Sequence, residues 1–177
     1  EISLGLVGSE MCIRDSVCSI LDSVYGGGFR NILLFNSHGG NQGIGQVILE
    51  DFGAAHPDCR IAMVTWWTLA QDVLTELSKT GRFGTGHACE FETSLMMAAG
   101  AIEPNVDLPS GEFFVPSHDW ADSSMLHKSV GALYRSIRQI SGGSGVIGQP
   151  DAATLEQGHK ITAAVVRRLE KVLTDLR

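Results

Sequence analysis

Two short apolar runs separated by an amphipathic stretch constrain the fold more than any other feature of this sequence. Residues 31–35 form the first run and residues 60–65 form the second. Between them, Ile44, Ile48 and Phe52 recur at the spacing of one helix face. A strand, helix, strand unit of this length predicts two neighbouring parallel strands joined by a right-handed crossover. The sequence therefore predicts an α/β fold.

Length and composition indicate one globular domain with neither nucleic acid nor membrane as a partner. The 177 residues are 44% hydrophobic, which is enough for a core without disulfides or metals. The formal net charge is −7 and no basic run is present, which argues against nucleic acid. No apolar stretch approaches the roughly 20 residues of a membrane helix. The spacing of the four cysteines fits reduced thiols in a cytoplasmic protein.

The first residues look unrelated to the rest of the chain. Residues 1–16 show neither a strand period nor a helix period, and they resemble a translated adaptor or assembly artefact. We therefore expect a non-native tail at 1–16, with an ordinary flexible tail as the alternative. A single α/β domain is expected at 17–177, and its first helix is predicted to begin at Val17.

Apolar spacing and turn residues predict the remaining elements. Helices are expected over 69–77 and 87–100, and another within 125–140. Residues 103–124 hold three of the five prolines and are expected to form an irregular excursion over the site or an interface. Asp151 is predicted to cap a long final helix.

One candidate site residue follows directly after the first predicted strand. His38 lies just past that strand, and Gly39 and Gly40 after it remove side-chain bulk. In open α/β sheets, ligands bind at the carboxyl ends of strands, which is where this histidine is placed. The pattern indicates a metal or substrate ligand. The alternative is a turn histidine that hydrogen-bonds a neighbouring carbonyl.

A second group of candidates lies further along the chain. His87 and Glu90 are three residues apart, so a helix beginning at His87 would place imidazole and carboxylate on one face. A histidine and a carboxylate near a second histidine are typical of hydrolytic metal sites, where the ion lowers the pKa of bound water to about 7. In the alternative interpretation, Glu90 and Glu92 only favour the positive end of the helix.

Two further interpretations remain open. Cys89, in the first turn of a helix beside His87, would have a depressed thiol pKa and act as a nucleophile. Residues 39–45 form a glycine-rich loop between strand and helix, where nucleotides bind in other proteins. That loop matches neither the dinucleotide-binding pattern nor the P-loop pattern.

Three segments resemble the creatininase (creatinine amidohydrolase) family. The first is GFRNILLFNSHGGN at 28–41, and the second is HACEFETSLMM at 87–97. The tail at 145–150, followed by Glu-Gln-Gly at 156–158, is similar to the last segment of that family. The resemblance covers residues 17–177 and is more specific for the family than for creatinine as the substrate.

The resemblance implies a fold, an activity and a set of site residues. The fold is a three-layer arrangement of a mostly parallel sheet flanked by helices, usually assembled as a homo-oligomer. The activity is hydrolysis of a C–N bond in a cyclic amide or related small molecule, by water that two metal ions activate. Zinc or manganese is usual, and iron occurs in relatives. By position, His38 and Glu90 are metal ligands, and His87 handles a proton or holds the substrate.

The sequence also departs from the family pattern. Ser37 and Cys89 stand where family members generally have glycine, and Gly40 stands where creatininase itself has a carboxylate. Nothing in residues 1–30 matches the family's first Glu-x-His pair or its bridging aspartate. The resemblance therefore implies a chain that lacks the N-terminal third of the enzyme and has little or no activity. The alternative is a non-catalytic α/β binding or assembly subunit that has lost the metal site.

Overall fold

A computed structural model describes residues 9–122 and 124–177, and the chain divides into two compact units. Of the described residues, the first unit comprises 9–66 together with 170–177, and the second comprises 67–122 and 124–169. The α-helices are α1 (Ser9–Gly26), α2 (Asn41–Ala55), α3 (Trp66–Leu69), α4 (Gln71–Leu77), α5 (Glu90–Ala98), α6 (Ile137–Ile140) and α7 (Leu155–Leu176). The strands are β1 (Asn31–Asn36), β2 (Arg60–Thr65), β3 (Thr85–His87) and β4 (Ile147–Gly148).

The parallel strand pair of the first unit confirms the prediction from the two apolar runs. β1 and β2 pair in register from Asn31 opposite Arg60 to Asn36 opposite Thr65. Helix α2 connects the two strands, as the spacing of its apolar residues predicts. Because parallel strands run in one direction, their carboxyl ends meet at the same edge of the sheet.

An apolar core holds the first unit together. It is formed by side chains that are at most 9% exposed and come from α1, β1, α2 and the turn before β2. These are Leu21, Ile32, Ile48, Phe52 and Cys59. Each buried side chain of this size contributes about 1.5–3 kcal/mol relative to an exposed one, so this core fixes α1 and α2 against β1.

Helix α1 begins earlier than the sequence pattern predicts. It starts at Ser9 rather than at Val17. Residues 9–16 contain neither proline nor glycine, so nothing in their backbone stops the helix. Arg14 in this added part donates to Asp51 of α2 at 2.5 Å. The division into a tail at 1–16 and one domain at 17–177 stays a prediction.

The second unit contains a short antiparallel pair and two helices in close contact. β3 pairs with β4, with Thr85 opposite Gly148. Helices α5 and α7 approach so closely that a Cβ on Gly158 would lie 1.9 Å from the carbonyl oxygen of Ser94. Within the described ranges, the strands thus form one parallel and one antiparallel pair. The three-layer arrangement stays a prediction.

Several predicted helix boundaries in the second unit are wrong. Helix α5 begins at Glu90, because His87 belongs to β3 and Ala88 has a φ of 54°. Asp151 lies in the 3₁₀ turn Pro150–Ala152, and α7 begins after it at Leu155. The helix expected somewhere within 125–140 is confirmed, as the four-residue α6. None of the helices in the described part of the chain is both long and apolar enough to cross a membrane.

Candidate functional site

His38 lies just beyond the carboxyl end of β1, as predicted. Its side chain is exposed, and its backbone N–H donates to Asn36 Oδ1 at 3.1 Å. The Asn36 amide donates in turn to Thr65 Oγ1 at 3.2 Å, across the ends of β1 and β2. These two bonds hold the turn and leave the imidazole at the surface. An accessible imidazole fits the role of a ligand to zinc or a similar ion.

Gly40 leaves room for the His38 ring. A Cβ at Gly40 would lie 3.2 Å from both Cδ2 and Nε2 of the imidazole, tighter than an ordinary contact. The backbone N–H of Asn41, the first residue of α2, donates to the His38 carbonyl at 3.1 Å. Glycine at this position therefore lets the ring lie over the start of α2.

His87 is half-buried in β3 and precedes a strained residue. It lies opposite Ile147 of β4. Ala88 has a φ of 54°, the left-handed region that favours glycine. This kink separates β3 from α5, so the prediction that His87 and Glu90 share one helix face is wrong. The two residues are instead joined by a tight turn within the second unit.

Relief of the strain at residue 88 is measurable. A left-handed backbone costs an alanine roughly 1–2 kcal/mol because its Cβ approaches the following carbonyl. We expect Ala88→Gly to raise the free energy of unfolding by about 1 kcal/mol, since the flexibility of glycine in the unfolded chain offsets part of the gain. Ala88→Val should lower it, because a β-branched side chain tolerates this conformation worst. Urea unfolding of the two variants checks both signs, and a stabilising valine would contradict the account.

The Glu90 carboxylate is fully buried and accepts hydrogen bonds from a neighbouring segment. Glu90 is 0% exposed. Its Oε1 accepts from Thr80 Oγ1 at 2.7 Å and from the Thr80 backbone N–H at 3.0 Å. The same oxygen accepts from the Lys79 backbone N–H and from Ser78 Oγ, both at 3.1 Å. The carboxylate therefore binds the segment 78–80 directly after α4.

The other Glu90 oxygen belongs to a buried network that reaches α7. Gln157 Nε2 donates to Glu90 Oε2 at 2.8 Å and to the Leu77 carbonyl at 3.0 Å. Gln157 Oε1 accepts from Ser94 Oγ at 2.7 Å. Ser94 Oγ accepts in turn from the backbone N–H of Thr154 at 2.9 Å. One chain of hydrogen bonds thus joins α4, α5 and the start of α7.

These contacts decide how well each predicted ligand fits a metal ion. His38 presents an accessible ring, whereas both oxygens of Glu90 are already occupied by donors. The metal-ligand role of Glu90 stays a prediction, and its observed partners favour a different role. His38 lies in the first unit, and His87 and Glu90 lie in the second. Among the described residues, no group of three or more His, Cys, Asp or Glu side chains is arranged to hold a metal ion.

The burial of Cys89 disfavours a thiol nucleophile. The residue is 0% exposed. Burial raises the pKa of its thiol, and the nearby Glu92 carboxylate raises it further. The thiolate is the nucleophilic form, so a raised pKa reduces its population at neutral pH. The depressed pKa expected from the sequence is therefore wrong, because the helix start is buried.

The hydrogen-bond network around Glu90 was not predicted from the sequence. Gln157 lies far along the chain, and its only signal was the Glu-Gln-Gly stretch in the family-like tail. Ser94 was visible as a polar residue one helical turn after Glu90, where the two side chains share a face. The segment 78–80 carried no signal, because two of its four donor groups are backbone N–H groups.

Comparison with known protein families decides the relationship of the chain. The family model for creatininase, described as creatinine amidohydrolase, matches residues 8–173. The chain belongs to the creatininase family. This confirms the resemblance found in the segments around His38 and His87. No curated protein matches the chain.

Solved creatininase structures share the fold. A manganese creatininase superimposes with a TM-score of 0.68 at 20% identity, over 95% of this chain and 65% of the other. A mutant creatininase of the Zn-Zn type gives a TM-score of 0.67 at 20% identity, over 94% and 64%. A mutant creatininase complexed with creatine gives 0.61 at 19% identity. The chain therefore spans about two thirds of the length of these creatininases. At such identities the likeness shows the fold alone.

Proposed function

We propose that this creatininase-family protein is a metal-dependent amidohydrolase that cleaves a C–N bond of a cyclic amide or related small molecule. Family membership over residues 8–173 is the observation that carries the proposal. Structural neighbours that hold zinc or manganese support a divalent metal as cofactor, and one that holds creatine supports a small-molecule substrate. We propose that the complete site holds two divalent metal ions, and iron is a further candidate for the metal. We also propose that the protein is a homo-oligomer located in the cytoplasm.

His38 and His87 would carry the two separate tasks of this chemistry. His38 would hold a divalent ion, since its ring is exposed at the end of β1 and its backbone is fixed by Asn36. A divalent ion, when bound, polarises an amide carbonyl and activates water. His87 would bind the substrate or transfer a proton to the leaving nitrogen, which a histidine does best near neutral pH. Such proton transfer contributes roughly 10²–10⁴-fold to a hydrolytic rate.

The alternative function is a non-catalytic binding or assembly subunit. It would keep the α/β scaffold and the hydrogen bonds around Glu90 without holding a metal ion. The exposed ring of His38 at the end of β1 favours the enzyme, because it is accessible to a metal ion. The expectation of low activity in this chain alone stays a prediction.

The test measures ring opening and metal dependence in the same sample. The purified protein is supplied with Zn²⁺ or Mn²⁺ and assayed against creatinine and other small cyclic amides, before and after treatment with EDTA. We expect any hydrolysis to require the metal and to be lost in His87→Ala. Hydrolysis that survives EDTA and disappears in Cys89→Ser would support a thiol mechanism instead. Neither hydrolysis nor metal binding would favour the non-catalytic subunit.

A further inference from the structure

We propose that Glu90 is a positioning residue that fixes the segment carrying His87, and that it is not a metal ligand. The carboxylate, its donors in the segment 78–80 and Gln157 form one polar cluster in the second unit, in which Glu90 and Gln157 are buried. The structural claim is independent of the proposed function. Only the consequence for catalysis rests on that function, through the role of His87.

The hydrogen bonds leave no free oxygen on Glu90. An ionised carboxylate offers about four lone-pair sites. Four donors from the segment 78–80 lie within 3.1 Å of Oε1, and Gln157 Nε2 lies 2.8 Å from Oε2. A zinc ion would need to approach one of these oxygens to roughly 2.0–2.2 Å. That approach would strip an N–H or O–H group of its acceptor.

The positions of these partners along the chain explain what the cluster holds. The segment 78–80 lies before β3, and Glu90 lies directly after it. The carboxylate therefore ties together the two ends of a chain segment that contains β3 and His87. Pairing of His87 with Ile147 fixes the middle of the same segment. Loss of the carboxylate contacts would free both ends, and the imidazole would lose its fixed position.

Gln157 of α7 also helps to hold the two ends of this segment together. Its amide N–H groups reach both Glu90 Oε2 and the carbonyl of Leu77, the last residue of α4. Its own oxygen accepts from Ser94 Oγ. The side chain is 4% exposed, so each of these groups would otherwise be buried without a partner. Gln157 is not itself a predicted ligand, and it completes the cluster through its side-chain amide. This allows positioning to be tested by a variant that leaves every predicted ligand in place.

The experiment compares Glu90→Gln, Gln157→Leu and the control Glu92→Gln with the wild-type chain. The metal-free proteins are unfolded in urea, their Zn²⁺ affinity is measured by competition with a chromogenic chelator, and the imidazole signals are followed by NMR. A glutamine at 90 cannot accept on both oxygens, whereas a glutamine at 92 still accepts its one hydrogen bond, from the Ala88 backbone N–H. The control therefore removes a similar charge without breaking a contact.

We expect Glu90→Gln and Gln157→Leu each to lower the urea midpoint by about 1 M, the shift that one or two lost buried hydrogen bonds produce. In both variants the His87 signal should move while those of His38 and His159 stay. Zinc affinity of the folded variants should remain within about threefold of wild type. Glu92→Gln should match wild type in the urea midpoint and in zinc affinity, because its one hydrogen bond is kept.

Other outcomes would overturn the proposal. A tenfold or larger loss of zinc affinity in folded Glu90→Gln would identify the carboxylate as a ligand. If Glu90→Gln does not fold, Gln157→Leu provides the test instead. A wild-type urea midpoint and an unmoved His87 signal in Gln157→Leu would contradict the positioning role of the cluster. A wild-type chain that binds no zinc would count against the proposed function alone, because the unfolding and NMR comparisons still decide the role of Glu90.

Discussion

Replacement of Gly158 by alanine is expected to lower the free energy of unfolding by about 3 kcal/mol, the upper end of the usual cost of overpacking. The new Cβ would lie 1.9 Å from the carbonyl oxygen and 2.6 Å from the carbonyl carbon of Ser94. Both are backbone atoms of α5, so rotation of a side chain cannot relieve the overlap. Helices α5 and α7 would have to separate, and Gln157 would move away from Glu90.

Gly43→Ala is the matched control for this prediction. Gly43 is also a helical glycine, but it is exposed in α2, and a Cβ added there would meet nothing within 4 Å. Alanine there should raise the free energy of unfolding by roughly 0.5–1 kcal/mol, because it favours the helix without a clash. Urea unfolding of both variants measures the difference. Stabilisation by Gly158→Ala would contradict the close approach of α5 and α7.

Truncation of Phe91 is expected to lower the free energy of unfolding by a similar amount, because it leaves a cavity rather than an overpacked contact. The ring is 0% exposed at the start of α5. Phe91→Ala removes the ring from a filled interior, which costs about 3–5 kcal/mol in lost apolar contacts and in the cavity that remains. Since Glu90 immediately precedes this residue, the variant should also loosen the polar cluster around the carboxylate.

Phe113→Ala serves as the control for the buried ring. Phe113 belongs to the same unit and is 56% exposed. Its truncation should cost under about 1 kcal/mol, because most of its surface is already in contact with water. Thermal and urea unfolding of the pair provide the comparison. Equal losses in the two variants would show that the ring of Phe91 is not part of a packed core.

Local sequence patterns were sufficient to predict the secondary structure where the backbone follows one regular period. The apolar runs at 31–35 and 60–65 predict β1 and β2, and the intervening helix face predicts α2, because buried strands and amphipathic helices have distinct spacings. The position of His38 follows directly, since it comes after a strand end. The same reasoning failed at His87, where a single left-handed residue, Ala88, converts an expected helix start into a strand and a turn.

The role of Glu90 could not be predicted from neighbouring residues. An acidic residue in the first turn of a helix is favoured by the helix dipole and is also common at metal sites, so its identity fits several roles. The decisive partners are backbone N–H groups at 79 and 80 and the amide of Gln157. Backbone donors have no sequence signature, and Gln157 meets Glu90 only when α5 and α7 pack together.

Zinc titration of the wild-type chain and of His38→Ala measures whether His38 holds a metal ion. His159→Ala, which removes an exposed histidine from α7, is the control for loss of any imidazole. We expect saturable Zn²⁺ binding by wild type and His159→Ala, and at least tenfold weaker binding by His38→Ala. Absence of saturable binding by wild type, or equal affinity in all three proteins, would contradict a metal site at His38.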